Sequence, residues 1–101
     1  MASVADLVEP LVLGGGDLPG DVREEATRLH DAGAVTLDAF GPVRVTASVA
    51  DDGHAFDVAL ASAADGLESA CSCAQGSSGL ICAHSLATAI VTWERAPRRR
   101  S

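Results

Sequence analysis

Residues 71–84 read CSCAQGSSGLICAH, a stretch that holds every cysteine of the chain and ends on one of its three histidines. Read as ligands, the pattern is Cys71-x-Cys73, a spacer of eight residues, then Cys82-x-His84. Three thiolates and one imidazole make up the closed tetrahedral set of a structural zinc site. On a strand, residues two apart point the same way, so Cys71 and Cys73 can supply one half of the tetrahedron. The spacer AQGSSGLI has two glycines and two serines, enough freedom to fold back and bring in Cys82 and His84. The predicted cofactor is therefore one structural Zn²⁺, carrying a net charge of about −1 with three thiolates by formal counting. Cys82 and His84 lie where the last helix should begin, and its positive end favours the thiolate form.

Other chemistries fit the stretch less well. A disulfide would leave one cysteine over, and a Cys-x-Cys bridge is strained. A cysteine nucleophile with His84 as base would need an orienting group and an oxyanion site, and the sequence has a signature for neither. Buried cysteines beside a satisfied histidine are an adequate account of any one of these residues, and a weaker one of four at metal spacing.

The pattern Cys71-x-Cys73 … Cys82-x-His84, followed at once by an alanine-rich apolar helix, resembles the SWIM-type zinc finger, common in small bacterial and archaeal proteins. Upstream, EEATRLHDAGAV, a hairpin and then the Cys-x-Cys strand is similar to the order in bacterial SWIM proteins, so the likeness covers about residues 24–93. The resemblance implies zinc bound by Cys71, Cys73, Cys82 and His84 and partners that are DNA or protein; it does not imply catalysis. Two positions depart from the usual pattern: Ala74 replaces a frequent proline, and Ala83 replaces a frequent Lys or Arg. Neither touches the metal set. The second matters for nucleic acid, because no Lys or Arg occurs from residue 70 to 93 and phosphate contacts draw mainly on those side chains.

The elements that must position these ligands follow from the rest of the chain. At 101 residues it is one small domain, in a size range where burial alone leaves stability thin. Nearly half of the residues are apolar but only three are aromatic, so the core must be built from Val, Leu, Ile and Ala. Ser3 is placed to cap a first helix carrying Val4, Leu7, Val8 and Leu11, which Pro10 should end early. LVLGGGDLPGD is a loop by its glycine and proline content. Asp21 with Glu24 resembles a capping box for a second helix over Val22–Asp31, with Val22, Ala26 and Leu29 on one face and Gly33 as its stop.

The middle of the chain alternates. Val43, Val45, Ala47 and Val49 share one face, as do Phe56, Val58 and Leu60, with a type I′ turn at Asp52-Gly53 between them. If Asp51 faces His54, then Val49 faces Phe56, Ala47 faces Val58 and Val45 faces Leu60, so the apolar residues of both strands land together. AVTLDAF should add a strand before this hairpin and LESACSC one after it. The last helix lies in AHSLATAIVTWERA, with Leu86, Ala89, Ile90 and Trp93 at helical spacing. The predicted fold is α+β: two N-terminal helices, a three- to four-stranded antiparallel sheet, and a zinc-binding strand-loop-helix ending in a C-terminal helix. Its expected divisions are a helical segment at 1–33, the hairpin region at 34–66, the finger at 67–94 and a basic tail at 95–101.

Charge narrows the function. Residues 1–94 carry fourteen acids against Arg23, Arg28 and Arg44, or −11, and Arg95, Arg98, Arg99 and Arg100 bring the total to −7. So acidic a body repels phosphate backbones. There is no lysine, which rules out a Walker-type reading of Gly14–Gly16, and the glycine spacing does not fit a dinucleotide fingerprint. His30 and His54 read as surface histidines. The N-terminus has no basic leader and no segment reads as membrane-spanning, so the expected location is cytoplasmic, where cysteines stay reduced. The expectation is a non-catalytic zinc module that binds a protein partner, with no small-molecule substrate. Two alternatives stay open: a nucleic-acid adaptor using Arg98, Arg99 and Arg100, with Arg44 as a further candidate contact, and a thiol-based redox sensor.

Overall fold

The computed structural model describes residues 4–12, 20–41, 43–64, 66–73 and 82–95. The expected cap at Ser3, the loop around Gly14–Gly16, the spacer at 74–81 and the tail residues Arg98, Arg99 and Arg100 lie outside them.

Four strands form an antiparallel meander in the order β1 (Val35–Phe40), β2 (Arg44–Asp51), β3 (His54–Ala63) and β4 (Gly66–Cys71). The β2–β3 register is the one the apolar alternation requires: Asp51 pairs with His54, Val49 with Phe56, Ala47 with Val58 and Val45 with Leu60. Asp52 and Gly53 both have positive φ, 53° and 79°, as a type I′ turn demands. Val45, Ala47, Val49, Val58 and Leu60 are all buried on one sheet face. Val43 departs from the expected pattern. It precedes β2 and is 56% exposed, because the chain is still turning out of β1, where Gly41 donates to the Arg44 carbonyl. In β1 the register shifts between Leu37 and Ala39, so Asp38 is an extra residue in a bulge.

Three helices cover the apolar face: α1 (Val4–Val12), α2 (Gly20–Asp31) and α3 (Ala83–Arg95). α3 is the central one, touching all four strands and flanked by α1 and α2. That position explains why its buried surface exceeds the single stripe the spacing predicts. Leu86 and Ala89 are buried as expected, but so are His84, Ser85, Ala87, Thr88, Val91 and Thr92, while Ile90 and Trp93 are half-buried. Small side chains at 85, 87, 88 and 89 suit a helix enclosed on several sides. Its outer end is tied to both neighbours: Trp93 Nε1 donates to Glu9 of α1 at 3.3 Å, and His30 of α2 lies 2.7 Å from Glu94. The Glu94 carboxylate raises the His30 pKa above its ordinary value.

The first two helices differ from expectation at their starts and stops. α1 runs through Pro10 to Val12 instead of ending early. Proline removes one backbone donor there, and the complete burial of Val4 and Val8, one turn apart, offsets that loss. α2 begins at Gly20, so Asp21 sits in the first turn and not at the cap, where its charge still suits the helix dipole. Its other end is as predicted. Gly33, with φ 69°, donates to the His30 carbonyl at 3.1 Å, and Ala34 donates to the Leu29 carbonyl at 3.0 Å, the two bonds of a Schellman motif.

Thr88 Oγ1 donates to the His84 carbonyl at 2.9 Å, whereas Thr92 Oγ1, one turn on and equally buried, has no hydrogen-bond partner among the described residues. A buried hydroxyl without a partner costs about 1–3 kcal/mol. Thr92→Val keeps the shape and removes the hydroxyl, so it is expected to stabilise the domain by about 1 kcal/mol. A urea midpoint unchanged or lowered by this substitution would contradict that reading.

Candidate metal centre

The four residues singled out by spacing come together at the junction of β4 and α3. Their ligand atoms, the Sγ of Cys71, Cys73 and Cys82 and a ring nitrogen of His84, all lie within 4.8 Å of one another. His84 Nδ1 is 3.7 Å from Cys71 Sγ and 3.8 Å from Cys82 Sγ. Tetrahedral zinc, with bonds of about 2.3 Å to sulfur and about 2.0 Å to nitrogen, sets its sulfur and nitrogen ligands about 3.5 Å apart. The observed separations are close to that value, so these residues fit a metal ion with little rearrangement. Cys71 and Cys82 are 5% and 1% exposed and His84 is 9% exposed, so the donors face inward. None of the three cysteines forms a disulfide.

Each of the four side chains is held by a different local device. Cys71 ends β4, paired with Val58. Cys73 is not on the strand, as the alternation argument assumed, but in the bend that follows it. Ser72 makes that bend: its amide donates to the Asp57 carbonyl at 2.9 Å, and its hydroxyl accepts from the Asp57 amide at 3.0 Å. The chain thus leaves the ladder at Ser72 with Cys73 still close to Cys71. Cys82 sits in the cap position of α3. Its carbonyl accepts from the Leu86 amide at 2.9 Å and its sulfur accepts from the Ser85 amide at 3.5 Å. His84 lies in the first helical turn, its ring stacked on Phe56 with centroids 4.4 Å apart.

Burial pushes the Cys71 thiol up to about 12, with the sulfurs of Cys73 and Cys82 adding to the effect. A cation among the sulfurs would reverse that penalty, since thiolate is the form a metal takes. The donor set is soft, which disfavours calcium and magnesium, ions that take oxygen ligands.

One residue of this site was not found from spacing. The second ring nitrogen of His84, Nε2, is 2.9 Å from Asp51 Oδ2, and Asp51 closes β2 at the hairpin turn. It lies 33 residues from His84, so no local pattern links them. Asp51 Oδ1 in turn lies 3.5 Å from the guanidinium of Arg28, which also pairs with Glu25. His30 and His54 take no part: His30 is engaged by Glu94 and Asp31, and His54 is exposed near Phe56. Arg44 is exposed at the start of β2.

Among the described residues no helix is long and apolar enough to cross a membrane. No family model, curated protein or solved structure matches the chain.

Proposed function

We propose that the chain is a zinc-binding, non-catalytic interaction module of the SWIM type, acting in the cytoplasm through contacts with another protein. One observation carries the reading: three cysteines and a histidine converge within 4.8 Å, all from the protein. Such a set fills a tetrahedral coordination sphere and leaves no position for a substrate or a reactive water, which is the character of a structural site. Among divalent ions with tetrahedral preference, zinc suits three thiolates and an imidazole best.

The choice of a protein over a nucleic acid rests on charge. The chain is at −7, has no lysine, and has no Lys or Arg between 70 and 93. An adaptor reading would depend on Arg98, Arg99 and Arg100. Binding of short DNA that weakens steeply with salt and disappears on removing those three would favour it over the protein reading. The thiol-sensor reading needs a low-pKa cysteine, and burial acts on Cys71 in the opposite direction.

Native mass spectrometry of the reduced protein, before and after mild chelation, tests the metal. One zinc per chain is expected, weakened or lost in His84→Ala. Protein that carries no zinc when purified reduced and does not take it up on addition would refute the proposal.

A further inference from the structure

We propose that Asp51 is a positioning residue for the metal centre: by accepting a hydrogen bond from His84 Nε2 it fixes the tautomer and ring orientation that leave Nδ1 as the metal-facing nitrogen. This rests on the zinc-binding reading above. The geometry is specific. Nε2 meets the carboxylate at 2.9 Å, while Nδ1 faces two of the sulfurs at 3.7 and 3.8 Å. A neutral imidazole has one N–H and one lone pair, so a carboxylate at Nε2 holds the proton there and turns the lone pair of Nδ1 to the cysteines. Phe56 stacked at 4.4 Å blocks rotation of the ring out of this plane.

The arrangement also joins two parts of the fold. Asp51 belongs to the β2–β3 hairpin, whereas His84 belongs to α3, so the hydrogen bond ties the metal centre to the sheet at a point β4 does not reach. Arg28 adds charge compensation from α2, but its side chain is 60% exposed and the pair is at 3.5 Å, so its contribution is small. The effect should be concentrated at Asp51. Outer partners of this kind typically change metal affinity about 10- to 100-fold when removed.

Three variants separate positioning from plain hairpin stability. Asp51→Ala removes the acceptor. Asp51→Asn retains an amide oxygen that can accept from Nε2–H. Asp52→Ala strains the same turn, at a residue with φ 53°, without touching His84. Zinc affinity is measured by chelator competition, and in the metal-loaded protein the ring nitrogens of His84 are observed by ¹⁵N NMR. The wild type is expected to show Nδ1 as the metal-bound nitrogen and a slowly exchanging Nε2 proton. Asp51→Ala should bind about 10- to 100-fold more weakly, with that proton exchanging rapidly, and Asp51→Asn should recover part of both. Affinity in Asp51→Ala within twofold of wild type, equal losses in Asp51→Ala and Asp52→Ala, or metal found on Nε2 would each overturn the role of Asp51 while leaving the metal site standing. Failure of the wild type to bind zinc would overturn both.

Discussion

Chelating the metal is expected to abolish the cooperative thermal transition of the domain, and Cys73→Ser should do the same in the presence of zinc. The magnitudes decide this. Structural zinc contributes on the order of 10 kcal/mol or more in small zinc-dependent folds, while a whole domain is stable by about 5–15 kcal/mol. The core here is made of leucine, valine and alanine, with no aromatic among the largest fully buried side chains, so little is held in reserve. The position of α3 determines how far the loss spreads. Because α3 touches all four strands and both other helices, releasing its first turn removes the cover from the whole apolar face. Backbone amide exchange should rise first in α3 and at Cys71, then in α1 and α2. The β2–β3 hairpin should keep protection longest, since its turn and ladder are local. A melting curve that chelation leaves unchanged would contradict both the energetic argument and the metal reading.

How far such structure can be read from sequence depends on whether its cause is local. The β2–β3 register was legible because two alternating runs and an Asp-Gly turn each constrain the other, and a slip of one residue would have exposed every core side chain. The Gly33 stop was legible for a similar reason, since a left-handed residue at the end of a helix nearly specifies its own hydrogen bonds. The convergence of Cys71, Cys73, Cys82 and His84 was legible from their spacing. Other features depend on what packs against what. Ser85, Thr88 and Thr92 look like a polar face in sequence, yet all three are buried because α3 is enclosed by neighbours that the periodicity of one helix does not encode. Pro10 sits inside α1 because the burial of Val4 and Val8 outweighs a local preference. Cys73 leaves the strand through a serine bend that its alternation with Cys71 gave no sign of. Asp51 reaches His84 only once the sheet and α3 are docked.

Cys82 serves two ends, as a candidate metal ligand and as the cap of α3. Any ligand substitution should weaken or remove the zinc, but Cys82 also caps α3, with its sulfur accepting from the Ser85 amide, and it is 1% exposed in the core. Cys82→Ala therefore loses the metal, the cap and some packing together, whereas Cys82→Ser loses the metal but supplies a hydroxyl, a better cap acceptor than a thiol. Replacing a good cap by alanine costs about 0.5–2 kcal/mol. With folding supported by a stabilising osmolyte such as sucrose and zinc held away by chelator, Cys82→Ser should exceed Cys82→Ala by about 1 kcal/mol. Cys73, half-buried in the bend after β4, caps no helix among the described residues, so Cys73→Ser and Cys73→Ala should differ much less under the same conditions. Equal stability of the two Cys82 variants would mean that its sulfur acts on α3 only through the metal.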